Sequence, residues 1–116
     1  AQIKKLKMIL LKKKKLHNRI SNFLTKNDNL DVMKKEKNSY PNFWLNTLIL
    51  KHSNYKFRND LIKTLNKKGF ESRPVWKLLN TLKPFKNSPC SNLENAIFIQ
   101  NKIVNIPSGY DIYKKL

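Results

Sequence analysis

Phe70-Glu71-Ser72-Arg73-Pro74-Val75-Trp76, followed by Lys83-Pro84-Phe85-Lys86 and then Asn105-Ile106-Pro107-Ser108, is the stretch that decides how this chain is read. Pro74 fixes its own φ and pushes Arg73 toward extended backbone. Residues 70–73 therefore read as a strand that stops at Pro74. A guanidinium held at a strand end can grip a phosphate or carboxylate through two parallel hydrogen bonds. An indole two residues further on can wall a pocket for a flat or sugar ring. The same residues also describe a plain strand-terminating corner, with Arg73 on a surface acid and Trp76 in the core. Spacing leaves both readings open.

Working outward, residues 58–68 form a helix with Leu61, Ile62 and Leu65 inward. Lys67 and Lys68 complement its C-terminal dipole, and Gly69 supplies a left-handed cap. Upstream, residues 43–50 hold Phe43, Trp44, Leu45, Leu48, Ile49 and Leu50, and read as a central strand with Phe43 and Trp44 in the core. A loop over 51–56 joins it to the helix. Residues 30–33 are a short strand, and 34–38 a polar turn. Residues 1–26 make one long helix, because Ile3, Leu6, Leu10, Leu16, Ile20 and Phe23, with Leu24 beside them, recur near the helical period. Asn27-Asp28-Asn29 ends it. On the other side of the corner, residues 76–82 read as a short helical turn. Ser91-Asn92-Leu93-Glu94 matches a capping box, so a last helix is expected over about 92–103. The tail from 109 to 116 is expected to be loose. The order is helix, strand, strand, helix, strand, helix. It predicts an α/β (α+β) fold: a small sandwich of a short, mostly antiparallel sheet with helices, preceded by one long helix.

A chain of 116 residues holds one domain. It divides into a connecting helix over 1–26, a small domain over 27–108 and the tail. The opening at Ala1 is what a piece of a longer chain would show. Net charge is +18, which fits nucleic acid, an anionic membrane or phosphate-bearing ligands. Yet apart from Arg19, Arg58 and Arg73 every cation is lysine, in a chain rich in Asn and Ile. Such a bias follows from A+T-rich coding, whereas nucleic-acid readers lean on the planar fork of arginine. The lysines of the first helix would lie on DNA, RNA or membrane in one reading. In the favoured one they are solvated, and the apolar stripe packs on a neighbouring domain, since it is longer than the small domain can cover. No apolar run approaches the roughly 20 residues of a membrane span, and lysines interrupt those near the start, so no signal peptide is expected. The single Cys90 excludes a disulfide framework and allows a reducing, cytoplasmic setting.

Catalytic signals are sparse. His17, His52 and Cys90 are scattered, with no metal-ligand spacing. Gly69 and Gly109 are the glycines, which is too few for a phosphate-cradling loop. The acids form no pair at a telling spacing.

Taken in order, four segments resemble the C-terminal small domain of the DegT/DnrJ/EryC1/StrS family of pyridoxal-phosphate-dependent nucleotide-sugar aminotransferases. They are Tyr40-Pro41-Asn42-Phe43-Trp44-Leu45-Asn46-Thr47-Leu48-Ile49-Leu50, Arg58-Asn59-Asp60-Leu61, Gly69-Phe70-Glu71-Ser72-Arg73-Pro74-Val75-Trp76-Lys77-Leu78-Leu79, and Leu93-Glu94-Asn95-Ala96 through Asn105-Ile106-Pro107-Ser108. Within the family the sequence is most similar to the branch making 4-amino-4,6-dideoxy sugars for legionaminic-acid-type or bacillosamine-type surface glycans. The first helix is similar to the one leaving the family's large cofactor domain. The tail Gly109-Tyr110-Asp111 departs from the family's usual Pro-Ser-Ser ending.

The resemblance implies a fold-type I enzyme working as a homodimer on a nucleotide-sugar substrate. It implies that the Schiff-base lysine and the cofactor-binding residues belong to the large domain, so this chain alone is expected to bind no pyridoxal phosphate and to be inactive; no lysine here is assigned as catalytic. Arg73, Pro74 and Trp76 are then expected at the substrate pocket's edge, with Asn42 and Phe43 beside them. Arg73 would meet nucleotide phosphates or a sugar hydroxyl, and Trp76 would pack on the sugar. The rival is a small basic nucleic-acid-binding module, with a membrane-surface protein behind it. Both explain the first helix and neither explains the order of residues 40–108.

Overall fold

The computed structural model describes residues 2–52 and 55–115. A 3-10 turn, Gln2–Lys5, leads into α1, Leu6–Leu24. The ends of α1 do not stabilise it. Its first turn has no acid, its last turn no base, and its N-cap makes no side-chain hydrogen bond, so neither end matches the helix dipole. What holds it is packing at Leu16, Ile20 and Leu24, spaced four apart on one face. Leu16 and Leu24 are buried, whereas Ile3 and Phe23 are both 83% exposed. The stripe is therefore covered only in its second half, and Phe23 lies off it. At the end of α1, Asn27 Oδ1 accepts the N–H groups of Asn29 (2.9 Å) and Leu30 (2.8 Å). This side-chain turn feeds the chain into β1.

Four strands make one sheet in the order β1-β2-β4-β3: β1 Leu30–Val32, β2 Asn46–Leu50, β4 Ile103–Ile106 and β3 Arg73–Pro74. Every neighbouring pair is antiparallel. Directly paired residues share a face. The row Val32, Leu48, Val104 and Pro74 lies on one face with Leu50, and the row Thr47, Asn105 and Arg73 on the other. The first face carries the core, in which Leu24, Val32, Leu48, Leu50 and Val104 are buried together, flanked by Ile20, Leu61 and Ile62. Thus α1 and α2 (Tyr55–Lys67) cover this face.

Helix α2 ends as its sequence predicts. Gly69 has φ 79°, its N–H donates to Asn66 O (3.0 Å), and the N–H of Phe70 donates to Leu65 O (2.9 Å). This crossed pair satisfies carbonyls that the last turn would leave bare. Asn66 then clasps the next segment, accepting from Ser72 N–H (2.7 Å) and donating to Ser72 O (3.1 Å).

Five expectations are corrected. The strand expected over 43–50 begins only at Asn46, because Phe43 has φ 52°, a left-handed turn no strand accommodates. Trp44 is consequently 63% exposed rather than core. The strand expected over 70–73 is the pair Arg73–Pro74 instead: the α2 cap and the Asn66 clasp hold residues 70–72 out of the ladder, and Pro74 is tolerated because β3 is an edge. The last helix, α3, is only Glu94–Gln100. Its N-cap is Leu93, which makes no side-chain capping bond; Asn92 Oδ1, one residue earlier, accepts Glu94 N–H at 2.9 Å. Residues 103–106 leave the helix to form β4, a strand the periodicity hid. The helical turn expected over 76–82 becomes two 3-10 turns, Leu79–Thr81 and Lys83–Phe85. Beyond Ser108 the chain forms a 3-10 helix, Tyr110–Lys115, with Lys12 Nζ 4.5 Å above the Tyr110 ring. Lastly, of the loop expected over 51–56, residues 55 and 56 already belong to α2, and residues 53 and 54 lie outside the described residues.

Candidate functional site

At the lead-in to β2, Asn42 Oδ1 accepts the Trp44 N–H (3.0 Å) across the left-handed Phe43. An asparagine carbonyl mimicking a backbone turn is the local reason for the reversal. It sends the two rings apart. Phe43 turns inward onto His17 of α1, ring centroids 4.8 Å apart. Trp44 turns outward and meets Trp76, which follows β3, at a centroid distance of 6.0 Å and an interplanar angle of 34°. Each indole is 63% exposed. The Trp76 carbonyl accepts from Gln100 Nε2 at 3.4 Å.

The turn is also held from behind. The Ser108 hydroxyl donates to Trp44 O and accepts from Lys13 Nζ at 2.9 Å; Lys13 also donates to Ser108 O at 3.2 Å. One turn along α1, His17 Nδ1 lies 3.1 Å from Asn46 Oδ1. Asn46 is 1% exposed, and its Nδ2 donates to Pro107 O (3.4 Å). That bond places the amide oxygen toward the ring, so His17 Nδ1 carries the proton.

Arg73 and Pro74 lie on the edge strand, exposed, opposite Asn105 and Val104. Thr47 Oγ1 donates to Asn105 Oδ1 (2.9 Å), completing the polar row beside Arg73. Of the residues singled out from sequence, Trp76 meets Trp44, Asn42 binds the Trp44 backbone, and Phe43 turns the other way, onto His17. Arg73 and Pro74 occupy the neighbouring sheet edge. Sequence reasoning missed Trp44, Lys13, His17 and Ser108. For Trp44 a signal existed, since Pro41-Asn42 is a turn pair that argues against continuing the strand back through Phe43.

A separate apolar hollow of about 320 Å³ lies on the core face, between Ile20, Leu24, Leu48, Leu61, Leu65 and Ile106. Apart from Arg19 its lining is apolar, so it lacks the converging polar groups that orient a substrate. Among the described residues no cluster of His, Cys, Asp or Glu could hold a metal, and no helix is long and apolar enough to cross a membrane. Pyridoxal phosphate needs an enclosed lysine and a nest of N–H donors for its phosphate. The lysines with described side chains are exposed or half-exposed, and Lys13 is already bound to Ser108. The described residues do not fit the cofactor. Trp44 and Trp76 lie exposed, and the edge strand that precedes Trp76 carries the exposed Arg73.

The family model for the DegT/DnrJ/EryC1/StrS aminotransferase family matches residues 1–115. No curated protein matches the sequence. Among solved structures, the chain is similar to the aminotransferase TlmJ from Streptoalloteichus hindustanus, with TM-score 0.78 and 12% identity, over 91% of this chain and 28% of that one. It is similar to Helicobacter pylori PseC, an aminotransferase involved in the biosynthesis of pseudoaminic acid, with TM-score 0.80 and 12% identity, over 91% of this chain and 29% of that one. The sugar aminotransferase CalS13 from Micromonospora echinospora gives TM-score 0.62 at 16% identity, over 81% of this chain and 25% of that one. The chain therefore spans less than a third of the length of each of these structures.

Proposed function

This chain belongs to the DegT/DnrJ/EryC1/StrS aminotransferase family, and we propose that it is the C-terminal small domain of a pyridoxal-phosphate-dependent sugar aminotransferase. The whole enzyme converts a nucleotide-linked 4-keto-6-deoxy sugar to its 4-amino sugar, in the cytoplasm, for surface-glycan synthesis. A large domain, encoded upstream or separately, supplies the cofactor site, and the enzyme works as a homodimer. This domain closes the substrate cleft. Arg73 meets the nucleotide phosphates or a sugar hydroxyl, Pro74 holds Arg73 extended, and Trp76 packs on the sugar. Asn42 and Phe43 shape the turn next to it.

The observation that carries this reading is the exposure of Trp76 at 63%, beside an edge strand that presents Arg73. A large aromatic left open beside an exposed cation on an edge strand marks a binding edge more than a core corner. The bare start of the first helical segment supports a neighbouring domain, because Ile3 in the 3-10 turn and Leu6 and Leu11 in α1 are each more than half exposed.

The test is turnover. With pyridoxal phosphate, an amino donor and a keto-sugar nucleotide, the chain alone is expected to yield no amino sugar. Joined to the cofactor domain it is expected to yield product, and Arg73→Ala in that assembly should raise KM. Turnover by the chain alone would overturn the reading, as would an assembly indifferent to Arg73.

A further inference from the structure

We propose that the apolar hollow on the core face binds a free, single-chain anionic amphiphile of the fatty-acid class, its chain inside and its carboxylate toward Arg19. The proposal does not rest on the transaminase reading.

The hollow is built by four parts of the fold. Its floor is the core face of the sheet at Leu48 and Ile106. These share a face because Ile106 pairs with Asn46, two residues before Leu48. Its sides are α1 and α2, with Leu65 on the α2 side, and Ile112 of the C-terminal 3-10 helix completes the lining. The elements around it are tied down elsewhere. Lys13 of α1 donates twice to Ser108 at the exit of β4, Lys12 lies over the Tyr110 ring, and Arg58 of α2 donates to Gln100 O. With its walls pinned the site relaxes only in part, and a cavity that does not collapse is destabilising while empty. A ligand that fills it stabilises the fold.

Volume and lining set the chemical class. The hollow measures about 320 Å³, roughly twice the ~150 Å³ apolar cavity that takes a benzene ring. Such a lining takes hydrocarbon rather than water, which needs two or more polar partners. Among the described residues of the lining Arg19 is the one charged group, and no acid stands with it. Arg19 and Phe23, one turn apart on α1, are both exposed, so this is where the hollow meets solvent. A ligand that satisfies both ends has a hydrocarbon body and one anionic head. The body supplies the packing the leucines lack, and the head meets a guanidinium, which suits a carboxylate. A sugar fits neither part, because its hydroxyls find no partner inside.

The experiment titrates decanoate into the full chain by calorimetry and follows the methyl signals of Leu48 and Ile106 by NMR. One decanoate per chain is expected, with both methyl signals shifting saturably and the melting temperature rising with ligand concentration. Octanoate should bind about 10-fold more weakly, because two methylenes leave the hollow. Butyrate, a head without a body, should leave both methyl signals in place. Decyltrimethylammonium, with a chain of the same length and the opposite charge, should bind more weakly than decanoate. Arg19→Gln should weaken decanoate binding about 3-fold, and Lys14→Gln, the same change in net charge outside the lining, should leave it unchanged. Leu65→Trp fills the hollow and should abolish binding. If that variant does not fold, the methyl shifts in the unaltered chain decide the matter. Methyl signals that stay put with decanoate, equal affinity for decanoate and decyltrimethylammonium, or equal weakening by Arg19→Gln and Lys14→Gln would overturn the proposal. So would binding only to phosphatidylglycerol vesicles, which would move the interaction to the lysines of α1. Turnover by the joined enzyme is a separate readout and can fail without touching this one.

Discussion

Lys13 in α1 donates to both the hydroxyl (2.9 Å) and the carbonyl (3.2 Å) of Ser108, 95 residues later. This contact ties the first helix to the exit of β4 and, through the Ser108 hydroxyl, to Trp44. It is partly exposed, so it contributes less than a buried charged hydrogen bond. Lys13→Met should cost about 1 kcal/mol, and Lys14→Met, an exposed neighbour, close to nothing. Urea denaturation of both variants measures the difference.

Arg58 is 5% exposed. Its Nη1 donates to Gln100 O (2.8 Å), its Nε and Nη2 donate to Asn59 Oδ1 (3.3 and 3.1 Å), and its guanidinium carbon lies 4.5 Å from the Tyr55 ring centroid. It bolts α2 to the end of α3. Arg58→Ala should lower stability by about 2–3 kcal/mol. Arg58→Lys should recover only part, because an ammonium cannot reproduce the fork. Thermal melts of the three proteins decide it.

At Gly69, with φ 79°, a Cβ is strained by the left-handed backbone. Gly69→Ala should destabilise by about 1 kcal/mol, with Gly69→Asn in between. The effect should appear in the denaturation midpoint with the slope unchanged.

Leu50, at 0% exposure, lies at the centre of the core, whereas Phe23 is 83% exposed. Leu50→Ala should cost about 2–5 kcal/mol, and Phe23→Ala less than about 0.5 kcal/mol. A large loss from Phe23→Ala in the chain alone would show that α1 packs with a different face.

With net charge +18, the folded chain repels itself. Added salt screens that repulsion over about 10 Å at 0.1 M. The melting temperature should therefore rise from low salt to about 0.3 M NaCl, opposite to a protein held by surface ion pairs. The ion pair of Lys63 with Asp60, at 4.0 Å, is exposed.

Much of the fold was legible because its signals are local. The α1 stripe, the break at Asn27 and the Gly69 cap each depend on residues within about a turn. Strand β4 was not legible, because Ile103 and Val104 continue the spacing of Leu93, Ala96, Ile97 and Gln100, so a helical period runs on past the point where the chain turns. The site was half legible. The Arg73-Pro74 corner stands out in one dimension, but Trp44 read as core, since it opens a run of apolar residues and only the reversal at Phe43 turns it outward.

What the amino-acid order by itself determined, then, is where α1 and α2 stop and that Pro74 closes an extended segment. These follow from backbone sterics and from hydrogen-bonding groups a few residues apart. Only the tertiary structure decided that β4 inserts between β2 and β3, and that Trp44 and Trp76 meet in the open. Ladder register and the packing of α1 against the exit of β4 set those positions, and both depend on residues far apart in the chain, whose pairing no local pattern encodes.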